Sequence, residues 1–150
     1  MAQSLAKVYV HLIFSTKNRE RWVPDAIRGI LHEYMGGIFR DMDCTAVEIN
    51  TEPDHAHALF LLGRTTALSD IVGNLKKGST NWLRQLDDSL HDFHWQHGCG
   101  VFSVSASRVD DVREYIRNQR EHHREISFQD EFRTFLRRHQ VEYDERYVWD

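Results

Sequence analysis

Hydrophobic and polar positions along this chain follow two periods, and the switches between them mark its elements. Residues 7–16 are β-branched and aromatic between polar flanks, which predicts a first strand. Past Pro24, which sits where a helix can begin, Ile27, Ile30, Leu31, Tyr34, Met35 and Ile38 recur at helical spacing and predict a helix over about 25–41. Period two returns over residues 44–51, Glu52-Pro53-Asp54 makes a turn, and residues 55–62 predict a third strand, apolar enough to be central. Leu68, Ile71, Val72, Leu75, Trp82, Leu83 and Leu86 mark a second long helix. A looser segment over about 87–100 precedes a fourth strand at residues 101–105. The order β-α-β-β-α-β predicts a ferredoxin-like α+β fold, an antiparallel sheet with two helices on one face. Ser107 with Asp110, and Ser127 with Asp130, read as capping pairs opening two C-terminal helices, about 108–124 and about 128–139.

With 150 residues and no internal repeat, all of this reads as one domain. Nineteen Lys and Arg against 23 Asp and Glu give a net charge of −4, which excludes a generic basic DNA-coating protein but leaves room for a local basic groove. Cys44 and Cys99 cannot build a disulfide framework, and a reducing compartment fits them. The longest apolar stretch, residues 56–62, falls far short of the roughly 20 residues a membrane span needs. No apolar leader opens the chain, so the expectation is a soluble, cytoplasmic protein.

Three constellations carry chemistry. The run from Gly73 to Thr80 imitates a phosphate loop, but Ser79 rather than Lys follows Gly78, and the run lies within a helical apolar period. His91, His94, His97 and Cys99 match no common zinc spacing and fall in an irregular segment, which reads as a solvated loop. His55-Ala56-His57 is different, because alternation along a strand aims both imidazoles to one face, about 7 Å apart. Such a pair is half of a metal site, or else two hydrogen-bonded histidines. Tyr115 and Gln119 stand four apart in the predicted helix after the fourth strand, so phenol and carboxamide share a face. A tyrosine at the core edge is the plain alternative.

Pro53-Asp54-His55-Ala56-His57-Ala58-Leu59 resembles the P-D-H-x-H segment of the HUH single-tyrosine transposases, which mobilise small bacterial insertion sequences as single-stranded DNA. Tyr115-x-x-x-Gln119 resembles their nucleophile and third metal ligand. Phe14-Ser15-Thr16-Lys17, Leu75-Lys76, Trp95-Gln96, Phe102-Ser103-Val104-Ser105, Asn118-Gln119-x-x-His122-His123 and Ser127-Phe128-Gln129-Asp130-Glu131 extend the likeness in order from about residue 6 to about residue 140. Cys99 departs from it where an aromatic is expected, and Ala56 is a minimal hydrophobic residue between the histidines.

The resemblance implies that His55, His57 and Gln119, all uncharged, bind one divalent ion, Mg²⁺ or Mn²⁺. Tyr115 then cleaves and rejoins single-stranded DNA through a 5′-phosphotyrosine, with no nucleotide cofactor and with no general base evident in the sequence. It also implies a subterminal DNA hairpin as partner and a homodimer as the working unit. Lys17, Arg19, Arg21, Lys76, Lys77 and Arg84 are candidate phosphate contacts. A domesticated REP-associated tyrosine nuclease shares these motifs, and a non-catalytic single-strand binding module is the rival from another class, though no K/R-G-F/Y-G/A-F run supports it.

Overall fold

In the computed structural model, which describes residues 2–150, alternation within two central strands sorts the molecule into layers. The elements run β1 (Tyr9–Ser15), α1 (Arg28–Asp41), β2 (Thr45–Glu52), β3 (His55–Leu61), α2 (Leu68–Leu86), β4 (Gly100–Val104), α3 (Val109–Arg117), α4 (Gln119–His122) and α5 (Phe128–Arg138). The sheet order is β2-β3-β1-β4 with every neighbouring pair antiparallel, the ferredoxin-like arrangement. Val10, Leu12 and Phe14 of β1 and Ala56, Ala58 and Phe60 of β3 face α1 and α2, meeting Leu31, Met35, Phe39, Ile71, Leu75 and Leu83. The intervening residues face the other way. There Ile13 and Phe102 pack against Phe128, Phe132 and Leu136 of α5, so the C-terminal helices cover the second face of the sheet. A histidine on that face is therefore sealed between sheet and helix rather than left in water.

The helix expected over about 108–124 is not continuous. A 3-10 turn, Ala106–Arg108, precedes α3, and α3 ends at Arg117 before the short α4 begins. The break has one local and one distant cause: Asn118 is a weak helix former at φ −93° and ψ 19°, and Asn50 of β2 donates from Nδ2 to the Ile116 carbonyl at 2.7 Å. The expected Ser107–Asp110 cap is absent as well. Ser107 pairs with the Ser105 hydroxyl at 3.1 Å, and Arg108 stands at the N-cap of α3 with no side-chain cap. The second cap forms, with the Asp130 amide donating to Ser127 Oγ at 3.2 Å.

The segment over 87–100 is better fixed than its composition suggests. Leu90, Phe93 and Trp95 are buried in the α1/α2 core. Gln96 exchanges hydrogen bonds with Ser15, its amide donating to the Ser15 carbonyl at 2.9 Å and its Oε1 accepting the Ser15 amide at 2.8 Å. The stretch from Gly73 to Thr80 lies inside α2, where a Cβ on Gly78 would stand 2.8 Å from Ile38 of α1, so that glycine permits close helix packing.

His32 of α1 faces Thr51 of β2 at 2.9 Å, and burial together with the Arg28 guanidinium pushes its imidazole down to about 4. An unfolded histidine protonates below about 6.5, so between these values the unfolded state holds the extra proton. Stability should therefore fall as pH drops from about 6.5 to about 4, by about 1–2 kcal/mol for this group after allowing for its partial exposure. Tm measured against pH should show a shallower slope in His32→Gln than in the wild type. Equal slopes would remove His32 as a cause.

Candidate active site

β3 places His55 and His57 on the face covered by α3–α5, both only 1% exposed. Their outer nitrogens are already tied. His55 Nδ1 donates to Asp54 Oδ1 at 2.7 Å, and His57 Nδ1 lies 2.8 Å from Nε2 of His11, its neighbour on β1. Both Nε2 atoms therefore point to one centre, and such outer partners fix ring orientation. Gln119, at the start of α4, brings Oε1 to 3.1 Å from His55 Nε2 and 2.8 Å from His123 Nε2. Its amide donates from Nε2 to Glu131 Oε2 at 3.0 Å, which fixes which end of the carboxamide faces the histidines.

Glu131 and His123 are the residues that sequence reasoning missed, and Glu131 is the central one. It projects from α5 and is 3% exposed, with Oε1 at 2.9 Å from His57 Nε2, 3.2 Å from His123 Nε2 and 3.9 Å from His55 Nε2. Its other oxygen, Oε2, accepts the Tyr115 hydroxyl, and His122 Nε2 stands 3.2 Å from that same hydroxyl. The signal was available, because Glu131 interrupts the apolar stripe Phe128, Phe132, Phe135 and Leu136, where a carboxylate has no reason to sit unless it has partners. Beside the uncharged donor set expected from the sequence the structure places this carboxylate. Tyr115 and Gln119 turn to the same side, as their spacing predicts, and both reach Glu131 Oε2, although the helix carrying them is interrupted at Asn118.

Charge in the cluster is balanced by imidazoles alone. Burial raises the cost of the Glu131 anion, yet His57, His123 and His55 together hold its carboxyl well below the usual range. Burial keeps His57 and His11 low, hence neutral, whereas at His123 the Glu131 carboxylate outweighs burial and raises the imidazole. Burial and the Glu131 charge push the Tyr115 phenol up, so it rests protonated. The fit to a divalent cation follows from the same facts. His55, His57, His123 and Glu131 each offer a donor atom, all within 4.8 Å of one another, and among the described residues the buried Glu131 carboxylate has no Lys or Arg partner.

Residues 4–119 match the transposase family described as IS200-like. The chain belongs to the IS200-like transposase family. A transposase is a DNA-processing enzyme, and this fold recurs in two solved structures. A transposase candidate from Deinococcus radiodurans R1 shares 23% identity over 79% of this chain and 98% of its own, with a TM-score of 0.62. A REP-associated tyrosine transposase bound to a REP hairpin shares 16% identity over 82% of this chain and 73% of its own, with a TM-score of 0.61. No curated protein sequence matches the chain. No helix among the described residues is long and apolar enough to cross a membrane.

The basic residues singled out in the transposase sequence divide by their partners. Lys76 Nζ donates to the carbonyls of Gln96 at 2.9 Å, His97 at 3.2 Å and Gly98, and Arg84 donates to the Phe93 carbonyl at 2.8 Å, so both brace the segment before β4. Lys77 is exposed beside them in a groove between α2 and that segment. Lys17 is exposed, Arg19 lies over the Trp149 ring, and Arg21 lines a cleft with Asp54, His55 and His123. His91, His94, His97 and Cys99 are exposed, and among the described residues they form no group with converging donors.

Proposed function

We propose that this transposase cleaves and rejoins single-stranded DNA through a 5′-phosphotyrosine on Tyr115, in a site built within one chain. The observation that carries the reading is the Glu131 carboxylate, which joins the Tyr115 hydroxyl on one oxygen to the His55–His57 centre on the other. A cleft of about 380 Å³ runs from Tyr115 along Arg108, Thr134, Phe135 and Arg138, and offers a DNA strand two guanidinium groups for its phosphates. Tyr115 Oη forms a bond to phosphorus as the P–O3′ bond breaks. The phenolic proton passes toward Glu131 Oε2, which already accepts it, and the departing 3′ oxygen takes up a proton to become a free hydroxyl. The ester bond is conserved in the phosphotyrosine, so attack by a 3′-OH reverses the step without ATP.

A divalent ion, Mn²⁺ or Mg²⁺, held by His55, His57 and Gln119 would supply positive charge to the phosphate oxygens. These three side chains are each 1% exposed, and the Tyr115 cleft is the open side of the site. Lys17, Arg21 and Lys77 are the proposed outer phosphate contacts. A hairpin-bearing single strand is the proposed substrate, consistent with the hairpin held by the REP-associated relative, and a homodimer is the proposed working unit. A sealed cluster of nucleophile, carboxylate and imidazoles has no use in a module that only stacks bases, which disfavours the binding-only reading.

The test incubates the protein with labelled hairpin-bearing single-stranded DNA and Mn²⁺, then denatures it. A labelled adduct on the protein is expected, and removal of the ion by a chelator should abolish it. Cleavage undiminished by the chelator would remove the ion from the mechanism, and cleavage without an adduct would remove the phosphotyrosine.

A further inference from the structure

The family match ends at residue 119, yet the centre of the cluster is completed by residues beyond it. His123 follows α4, and its Nδ1 donates to the Ile126 carbonyl at 2.7 Å, leaving Nε2 turned inward between Gln119 Oε1 and Glu131 Oε1. Glu131 comes from α5, whose Phe128, Phe132 and Leu136 anchor it on β1 and β4 through Ile13 and Phe102. Both segments also pack on the site itself, Phe128 stacking on His55 at 4.7 Å, His123 lying 4.5 Å from the His55 ring and Phe135 5.7 Å from that of Tyr115.

We propose that Glu131 is a shared carboxylate in this chain: Oε1, with His123 Nε2, ligates the divalent ion alongside His55, His57 and Gln119, while Oε2 positions the Tyr115 hydroxyl. Three observations carry it. Oε1 faces the Nε2 atoms of all three histidines, and Oε2 faces the phenol and the Gln119 amide, so the two oxygens divide the ion side from the nucleophile side. Among the described residues Glu131 has no Lys or Arg partner, so its buried charge is met only by imidazoles whose inward nitrogens can turn to a shared cation instead. Asp54 behind His55, His11 behind His57 and the Ile126 carbonyl behind His123 are all placed to keep a lone pair on each Nε2 once an ion is bound.

Two consequences follow. Three imidazoles, a carboxamide and a carboxylate favour Mn²⁺ over Mg²⁺, which prefers oxygen donors and its own waters. Ion binding is also felt by Tyr115 before DNA arrives, because one side chain touches both.

The proposal rests on the same site as the transposition reading, but its test uses no DNA. Titrating Mn²⁺ into the whole protein by calorimetry should give one site per chain. Glu131→Gln, which keeps the side-chain shape, should weaken binding at least about tenfold, as should His123→Asn at the half-buried edge of the site, whereas Tyr115→Phe should leave affinity within about twofold. Ultraviolet difference spectroscopy supplies the second readout. Mn²⁺ should perturb tyrosine absorbance in the wild type, and the perturbation should vanish in Tyr115→Phe and in Glu131→Gln at saturating ion. Wild-type affinity in folded Glu131→Gln would overturn the ligand role, and a perturbation that survives in saturated Glu131→Gln would overturn the link to Tyr115. A protein that passes both tests yet makes no DNA adduct would leave this inference standing and sink the phosphotyrosine alone.

Discussion

Tyr115→Phe is expected to lower covalent adduct formation by at least about a thousandfold while leaving the protein folded. The phenyl ring keeps its edge contacts with His57, His122 and Phe135, whose centroids lie 6.0, 5.2 and 5.7 Å from that of Tyr115. Only the hydroxyl is lost, and Glu131 retains hydrogen bonds from Gln119, His57 and His123, so stability should change by no more than about 1 kcal/mol. The effect is thus chemical rather than structural, and the melting temperature measured beside the adduct assay separates the two. An adduct of wild-type yield in this variant would exclude Tyr115 as the nucleophile.

Gly100→Ala should damage the site from a distance. Gly100 opens β4, and a Cβ there would meet the Phe132 ring edge, with Cζ at 2.9 Å and Cε2 closer still, and Phe102 Cε2 at 3.0 Å. Phe132 is 2% exposed and has no free space to retreat into, so α5 must shift. Overpacking of this kind costs about 1–3 kcal/mol, and Tm should fall by about 2–4 °C for each kcal/mol. Glu131 precedes Phe132 on α5, so the displacement moves the carboxylate from both the histidines and Tyr115. A misplacement of about 1 Å at such a centre reduces rate about a hundredfold, which adduct formation measured well below Tm would reveal. Wild-type Tm and wild-type adduct yield together would show that the β4–α5 contact does not position the site.

Much of the fold was legible because its periods are local. The apolar positions of α1 and α2 repeat at helical spacing, and β3 alternates, so the facing of His55 and His57 away from Ala56 and Ala58 followed from covalent geometry alone. Tyr115 and Gln119 were legible as residue types at a suggestive spacing. The carboxylate they both reach was not, since Glu131 lies 16 and 12 residues further on, in a helix placed by packing against the sheet. The buried segment before β4 escaped composition for a similar reason, its order coming from Ser15 and Lys76, far away in the chain.

By itself the sequence determined the strand and helix order, the shared face of the two histidines and the candidate nucleophile, because each depends on positions a few residues apart. Tertiary structure alone decided that the second face of the sheet is closed by α5 and that Glu131 stands between Tyr115 and the histidines. Those outcomes require residues 55, 115, 119, 123 and 131 to meet, and side-chain packing across the sheet, rather than any local period, brings them within hydrogen-bond reach.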